Sequence, residues 1–246
     1  MRILHLSDLH ICSSADAIIH GVNPYENLQR AINKIKAIEQ EIDLCVITGD
    51  ISNDGTEESY ELADMALSIL PFPIYVTNGN HDSYRNLIRN SHKKLWFQRQ
   101  VTIHGIDFLF LNSVGISDDG SNRSRGSLSN DELKQVMITL GQNHPTIILM
   151  HHPAIETGSW LDRRILENRQ SFINIVASSH KVIAVLSGHN HYSSNKPIGS
   201  CLYCTAPSIS TSFDKSLEPF VEAFNPGFNI LKITDENRCY VENVEI

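Results

Sequence analysis

The chain has 246 residues, 41% hydrophobic and 20% charged, enough to bury a sizeable core; none of its apolar runs approaches the roughly 18 residues of a membrane span. A formal charge of −8, from 28 acidic against 20 basic residues, argues against a protein that coats nucleic acid, while a small anionic substrate can still be drawn in by a local metal charge. The five cysteines, Cys12, Cys45, Cys201, Cys204 and Cys239, are odd in number and scattered, which excludes a disulfide framework, and the Cys201/Cys204 pair lacks the second pair of a zinc site.

The first apolar run, Ile3 to Leu6, turns polar too soon for a secretory signal, which favours a cytoplasmic location. A helix follows, capped by Asn23 with Pro24 at its first position and an inward stripe of Leu28, Ala31, Ile32, Ile35 and Ile38. After the run Leu44 to Ile47, a second helix is predicted over Thr56 to Leu70, with Leu62, Met65, Ala66 and Ile69 inward and Pro71 and Pro73 ending it. Runs at Ile74 to Val76 and Phe108 to Leu111 precede a turn-rich loop, Ser117 to Ser127. A third helix opens on a capping box, Ser129 with Glu132, and buries Leu133, Val136, Met137 and Leu140 before Gly141. Runs at Ile147 to Met150 and Val182 to Leu186 follow, and the irregular stretch 207–226, with Phe213, Phe220 and Phe224, reads as a lid, a dimer-contact segment or packed coil. Short β-rich runs alternating with helices predict an α/β layered fold with sheets covered on both faces; without a repeat or linker, 1–246 reads as one domain.

Five of these apolar runs are followed at once by metal-ligand residue types. Asp8 and His10 follow the first, Gly49 and Asp50 the second, and Asn78 to Asp82 the third; His151 and His152 follow Ile147 to Met150, and Gly188 to His191 follow Val182 to Leu186. In open α/β sheets ligands bind beyond the carboxyl ends of the strands, so these loops are expected to converge. The two-residue spacings Asp8/His10 and His189/His191 put each pair on one side if the backbone is extended, and Gly49, Gly79 and Gly188 allow close backbone approach. Carboxylate, imidazole and amide donors suit Mn, Fe, Zn or Co, and seven candidates exceed the needs of one ion but divide between two that share a carboxylate. Two ions roughly 3.5 to 4 Å apart lower the pKa of a bridging water and clamp phosphoryl oxygens, which is phosphoester chemistry. The other histidines, His5, His20, His92, His104, His144 and His180, read as surface or satisfied core residues, His152 as packing or an outer partner, and Asp54 as a helix or turn cap or an outer partner.

At these residues the sequence resembles the calcineurin-like metallophosphoesterase family, whose D-x-H, G-D, G-N-H, H and G-H-x-H blocks are met by Asp8 and His10, Gly49 and Asp50, Gly79 to His81, His151, and Gly188 to His191. The resemblance implies a four-layer α/β/β/α sandwich, two mixed sheets flanked by helices. It implies one ion on Asp8, His10, Asp50 and His191, and a second on Asp50, Asn80, His151 and His189, with Asp50 as the bridge. It further implies a metal-bridging hydroxide that attacks phosphorus while Asn80 and His81 position the phosphate, His81 orienting it or protonating the leaving alkoxide. GDISNDG, GNHD, HHP with GSWLD, GHNH and APSIS are similar to the branch of bacterial cyclic nucleotide phosphodiesterases and glycerophosphodiesterases. That branch implies a small phosphodiester substrate, 3′,5′-cyclic AMP or a related cyclic nucleotide first, with a glycerophosphodiester or a broader range as the alternative, and a homodimer by family habit. The acidic balance argues against a nuclease, and the complete ligand set against a non-catalytic scaffold.

Overall fold

The computed structural model describes residues 1–90, 93–116, 122–213, 222–223 and 225–246. Among these, the order is β1 (Arg2–Leu6), α1 (Pro24–Lys36), β2 (Leu44–Thr48), α2 (Glu57–Leu67), β3 (Ile74–Thr77), α3 (Tyr84–Asn90), β4 (Leu95–Phe97), β5 (Gln100–Ile103), β6 (Ile106–Phe110), β7 (Val114–Ile116) and β8 (Asn122–Gly126). There follow α4 (Asn130–Gly141), β9 (Thr146–Leu149), α5 (Arg169–Ala177), β10 (Val182–Ser187), β11 (Ser194–Ile198), β12 (Cys201–Thr205), β13 (Ser212–Phe213), β14 (Glu222–Ala223), β15 (Gly227–Ile233) and β16 (Cys239–Glu245). Residues 214–221 and 224 of the expected lid segment, with Phe220 and Phe224, lie outside the described residues, as does His92.

Two six-stranded mixed sheets form the centre. One runs β16-β15-β1-β2-β3-β4 and the other β11-β12-β10-β9-β6-β5. Within the first, β1 to β4 are parallel and β15 joins β1 antiparallel; within the second, β12, β10, β9 and β6 are parallel between antiparallel edges. The register sets Leu6 beside Ile47, Ile47 beside Val76, and Leu149 beside both Phe110 and Leu186, so the carboxyl ends of the central strands finish level.

Strand alternation makes the layers. Leu4, Leu6, Cys45, Ile47, Ile74 and Val76 turn one way, onto Leu28, Ile32 and Ile35 of α1 and Tyr60, Ala63 and Leu67 of α2. Ile3, Leu44 and Val46 turn the other way and meet Phe108, Ile147, Leu149 and Leu186 between the sheets. Leu109, Ile148 and Val185 face outward again, onto Val136 of α4 and Phe172 and Val176 of α5. The result is the α/β/β/α sandwich, in which each buried Leu, Ile or Phe contributes about 1.5–3 kcal/mol relative to exposure. Cys201 and Cys204 sit on opposite faces of β12, in different layers, and their thiols are free.

Helix α1 is as expected: Asn23 Oδ1 accepts from the Glu26 amide at 3.0 Å, and Pro24 opens the helix. Helix α2 is rotated from the expected phase. Tyr60, Ala63, Ala66 and Leu67 are buried, whereas Met65 and Ile69 are 57% and 51% exposed. The turn is fixed by Tyr60, whose hydroxyl donates to Asp82 Oδ1 at 3.0 Å and accepts from the Ser83 amide at 2.8 Å. The capping box of α4 is half formed. Ser129 Oγ accepts from the Glu132 amide at 3.1 Å, but the Glu132 carboxylate pairs with Arg99, and Met137 faces solvent. Part of the expected loop 117–127 is strand β8, paired with β7, where NRSRG carries no apolar alternation to announce it.

Candidate metal centre

The five loops meet at the carboxyl ends of β1, β2, β3, β9 and β10. Their backbones are laced together: the Asp8 amide donates to the Gly49 carbonyl at 3.1 Å, the His10 amide to the Asp50 carbonyl at 3.0 Å, and the Gly188 amide to the His151 carbonyl at 3.0 Å. The loops do not converge through extended alternation. Asp8, His10, Asp50, His189 and His191 all have left-handed backbones, with φ between 49° and 68°. Asp and His tolerate this region better than most residues, at a local cost of order 1–3 kcal/mol, and the turn throws each side chain inward immediately after its strand. Gly79 and Gly188 serve close approach instead: a Cβ on Gly79 would overlap the Asp50 carboxylate, and one on Gly188 would overlap Ser7 Oγ. Gly49 answers to both demands, with φ +90° and only 2.7 Å of room beside His151 Nδ1.

Two groups of donors result. The ligand atoms of Asp8, His10 and His191 lie within 4.8 Å of one another, as do those of Asp8, Asp50 and His151. His191 Nε2 is 3.3 Å from Asp8 Oδ1, and His10 Nε2 is 3.8 Å from Asp50 Oδ2 and 3.2 Å from His191 Nε2. On the other side, His151 Nε2 is 3.3 Å from Asp50 Oδ2, 3.1 Å from Asn80 Oδ1 and 3.2 Å from His189 Nδ1. Asp8 belongs to both of these groups, and Asp50 reaches both sides through Oδ2, which lies near His10 as well as His151. Asp8 Oδ1 is buried without a hydrogen-bond partner, and several imidazole nitrogens point at one another rather than at carbonyls or carboxylates alone. Such a set of converging lone pairs is costly by itself and fits a pair of cations. The charge balance agrees. Burial opposes it, but His191 and His151 hold the Asp8 carboxyl below its usual range, and Asp50 is held well below by His151 and His10. Against the effect of burial, the Asp50 carboxylate lifts His151 to about 9, while burial pushes His10 and His152 down to about 3 and His189 well below its ordinary value.

The outer partners fix the rings. The carbonyls of Thr48 and Thr211 face His151 Nδ1 at 2.8 Å and His191 Nδ1 at 2.6 Å, so each Nδ1–H donates there and the Nε2 edge of the ring faces inward. Asp82 collects the amides of Gly79 at 2.8 Å and Ser52 at 3.0 Å with the Tyr60 hydroxyl, tying the third loop to the second. Burial and the nearby Asp50 raise its carboxyl to about 6. His81 is exposed; its amide donates to Asp50 Oδ1 at 2.8 Å, and its Nδ1 faces the Asn53 carbonyl at 3.2 Å. His152 is fully buried, its ring 4.5 Å from that of His189 by centroids and its Nδ1 2.9 Å from Ser113 Oγ. That hydroxyl also accepts from the His152 amide at 3.1 Å, which ties the ring and its backbone to one side chain. Asp54 caps a turn through Thr56 and the Ser13 amide. The sequence carried no sign of the Thr48 and Thr211 carbonyls, because every residue has one. Ser113 was equally silent, whereas Arg163 and Arg164, directly after the quoted GSWLD, line the same cleft and had a visible cue.

The donors open onto a cleft of about 480 Å³, a volume suited to a small ligand. No helix among the described residues is long and apolar enough to cross a membrane.

The chain is 30% identical to a 3′,5′-cyclic-nucleotide phosphodiesterase of Nostoc sp. (strain PCC 7120), over 95% of this chain and 88% of the relative. It is 27% identical to a probable glycerophosphodiester phosphodiesterase of Arcobacter nitrofigilis, over 85% of this chain and 79% of that protein. In fold it is similar to a dimetal phosphatase from Danio rerio, with a TM-score of 0.74 at 12% identity, covering 99% of this chain and 96% of that one. Residues 1–193 match the family described as calcineurin-like phosphoesterase, and the chain belongs to that family.

Proposed function

We propose that residues 1–246 act as one unit that hydrolyses small phosphodiesters at a two-ion centre, with 3′,5′-cyclic AMP or a related cyclic nucleotide as the leading substrate. Calcineurin-like phosphoesterases use a dinuclear metal centre. The reading assigns one ion to Asp8, His10, Asp50 and His191 and the other to Asp50, Asn80, His151 and His189, with Mn, Fe, Zn or Co as the metals these donors suit. The observation that carries it is Asp50 Oδ2, 3.8 Å from His10 Nε2 and 3.3 Å from His151 Nε2, beside an unpartnered carboxylate oxygen of Asp8 and next to a cleft large enough for a small diester. When bound, two such ions supply a low-pKa water and the positive charge that offsets the developing phosphoryl charge.

The protein's own groups do the positioning. Asp50 is held by the His81 amide, which leaves its second oxygen, Oδ2, beside His10 and His151. Asn80 presents Oδ1 toward His151, within the second donor group, and its amide nitrogen remains available to a phosphoryl oxygen. The Asn53 carbonyl keeps a proton on His81 Nδ1, so Nε2 is the nitrogen that can hold and release a proton at the leaving oxygen. The relationship to the Nostoc enzyme supports a cyclic nucleotide; the relationship to the Arcobacter protein supports a glycerophosphodiester as the second reading. A cytoplasmic location and a homodimer belong to the same proposal and rest on the resemblance; light scattering tests the latter.

The test is hydrolysis of bis(p-nitrophenyl) phosphate and of 3′,5′-cyclic AMP by chelated protein, with Mn added back. Metal-dependent turnover of both is expected. Turnover of the synthetic diester alone removes cyclic AMP in favour of the second reading, and no turnover by metal-loaded protein removes the enzyme.

A further inference from the structure

The cleft has a wall that diester hydrolysis as such does not use. Trp160, Leu161, Arg163 and Arg164, from the 3-10 turn Trp160–Arg164, line it together with the donors Asp50 and Asn80. The guanidinium carbon of Arg163 lies 5.5 Å from the Trp160 ring centroid, a cation–π pair that presents a flat aromatic surface beside a flat cation.

This wall is built rigidly onto the donor loops. Asp162 Oδ1 accepts from the Thr157 amide at 2.8 Å and hydroxyl at 2.9 Å, and Oδ2 accepts from the amides of Gly158 at 2.8 Å and Ser159 at 3.1 Å. Thr157 Oγ1 in turn accepts from Asn190 Nδ2 at 2.6 Å, and Asn190 stands between His189 and His191. From the other side, β8 braces the turn. Arg125 Nε donates to the Arg163 carbonyl at 2.9 Å, and Arg164 donates to Ser124 Oγ. The same strand's Asn122 donates to the carbonyls of Asn80 at 3.0 Å and Asp82 at 2.9 Å. An aromatic–guanidinium pair held from two directions against the donor loops is preorganised to receive a flat group attached to the phosphate.

We propose that Trp160, with Arg163 stacked on it, is the platform that receives the purine ring of a nucleotide diester and so sets which diesters this centre prefers. The inference rests on the cyclic-nucleotide reading above. A glycerol or ethanolamine group has no π face and gains little there. A purine stacked on an aromatic side chain gains roughly five- to a hundredfold in affinity.

The chain has two tryptophans, so Trp96→Phe leaves Trp160 as the sole indole fluorophore. In metal-loaded Trp96→Phe protein, 5′-AMP is expected to quench Trp160 emission saturably and to bind at least about fivefold tighter than ribose 5-phosphate, which has the sugar and phosphate but no base. Trp160→Ala should lower kcat/KM for 3′,5′-cyclic AMP about tenfold more than for glycerophosphoethanolamine, chiefly through KM, and Trp160→Phe should recover most of that difference. Equal affinity for 5′-AMP and ribose 5-phosphate overturns the platform, as does an equal loss on both diesters, which marks Trp160 as merely structural. If the wild-type protein does not hydrolyse cyclic AMP, the functional reading falls, and the fluorescence titration still decides the platform by itself.

Discussion

The sandwich has a cleft at each end of its parallel strands, and the larger one is the poorer site. At the amino ends of β9, β10 and β12, His144, His180, Lys181 and Arg238 line a cleft of about 600 Å³. At the carboxyl ends, the cleft of about 480 Å³ is lined by the candidate ligands. The difference lies in what the polar groups are doing. At the amino end Lys181 Nζ donates to the carbonyls of Leu140 and Gln142, His144 Nδ1 is 3.3 Å from Asp107, and Arg238 pairs with Glu236 at 3.2 Å with both side chains exposed. At the carboxyl end, carboxylates and imidazoles are buried, held by left-handed turns, and left with lone pairs that protein donors do not meet. Volume is a poor guide to function; buried polarity that the fold alone does not satisfy is a better one.

The sharpest way to break this contrast is Asp50→Ala. Asp50 Oδ2 lies near both His10 and His151 and is assigned to both ions, so metal content measured by plasma mass spectrometry should fall from two ions per chain. Turnover should drop by more than the roughly 10–100-fold typical of outer partners, on the order of a thousandfold or beyond. A variant that keeps two ions and most of its activity sinks the assignment. His81→Ala separates holding metal from using it. The side chain of His81 is not among the assigned ligands, so metal content should stay at two while kcat falls roughly 10²–10⁴-fold. Loss of metal in that variant would instead make His81 a brace for Asp50, acting through more than its backbone amide.

The candidate ligands were legible because each is a chemically distinct side chain placed just after an apolar run; Asp8, Asp50, His151 and His189 carry their meaning in their type. The central strands were legible for a related reason: β1, β2, β9 and β10 are buried on both faces and read as continuous apolar runs. The edges β5, β11 and β16 are half solvated, and β8 is polar throughout, so no such run marks them. Helix α2 misled because aliphatic periodicity omits Tyr60, whose hydroxyl is bound to Asp82 and so decides which face turns inward. The left-handed turns at Asp8 and His10 escaped because two-residue spacing fits an extended backbone equally well. The Thr48 and Thr211 carbonyls that orient His151 and His191 are backbone atoms, which no residue type announces.

A smaller effect is expected from Ser113→Ala. Its hydroxyl is the partner of both the His152 amide and Nδ1, and His152 packs on His189. Loosening that stack should weaken one of the two ions about tenfold in competition with a chelator, leaving the other unchanged. Unaltered affinity for both ions reduces His152 to filler. Protons offer a subtler probe of the same end. His5 is buried between the sheets with Nε2 2.9 Å from Thr48 Oγ1, and burial lowers its pKa from about 6.5 to about 3. The folded chain therefore binds fewer protons than the unfolded chain as pH drops below about 6.5. Stability should decline through that window toward pH 3, by at most about 1.4 kcal/mol per pH unit from this group. His5→Gln keeps an amide near Thr48 and removes the titration, so its stability measured by urea unfolding should fall less steeply between pH 6 and pH 4.

The smallest expected effect tests the other end of the comparison. Arg238 lines the larger cleft, 69% exposed, and its partner Glu236 is 74% exposed, so water and salt screen the pair. Arg238→Ala should change folding stability by no more than about 0.5 kcal/mol, with metal content and turnover of bis(p-nitrophenyl) phosphate at wild-type values. The reasoning is asymmetric: at the carboxyl end, removing one ligand leaves other buried charges uncompensated, whereas at the amino end the lost guanidinium leaves a carboxylate that water solvates at once. If Arg238→Ala lowered turnover or released metal, the two clefts would be coupled through β10, which runs from one to the other. The amino end would then have to be regarded as part of the working site.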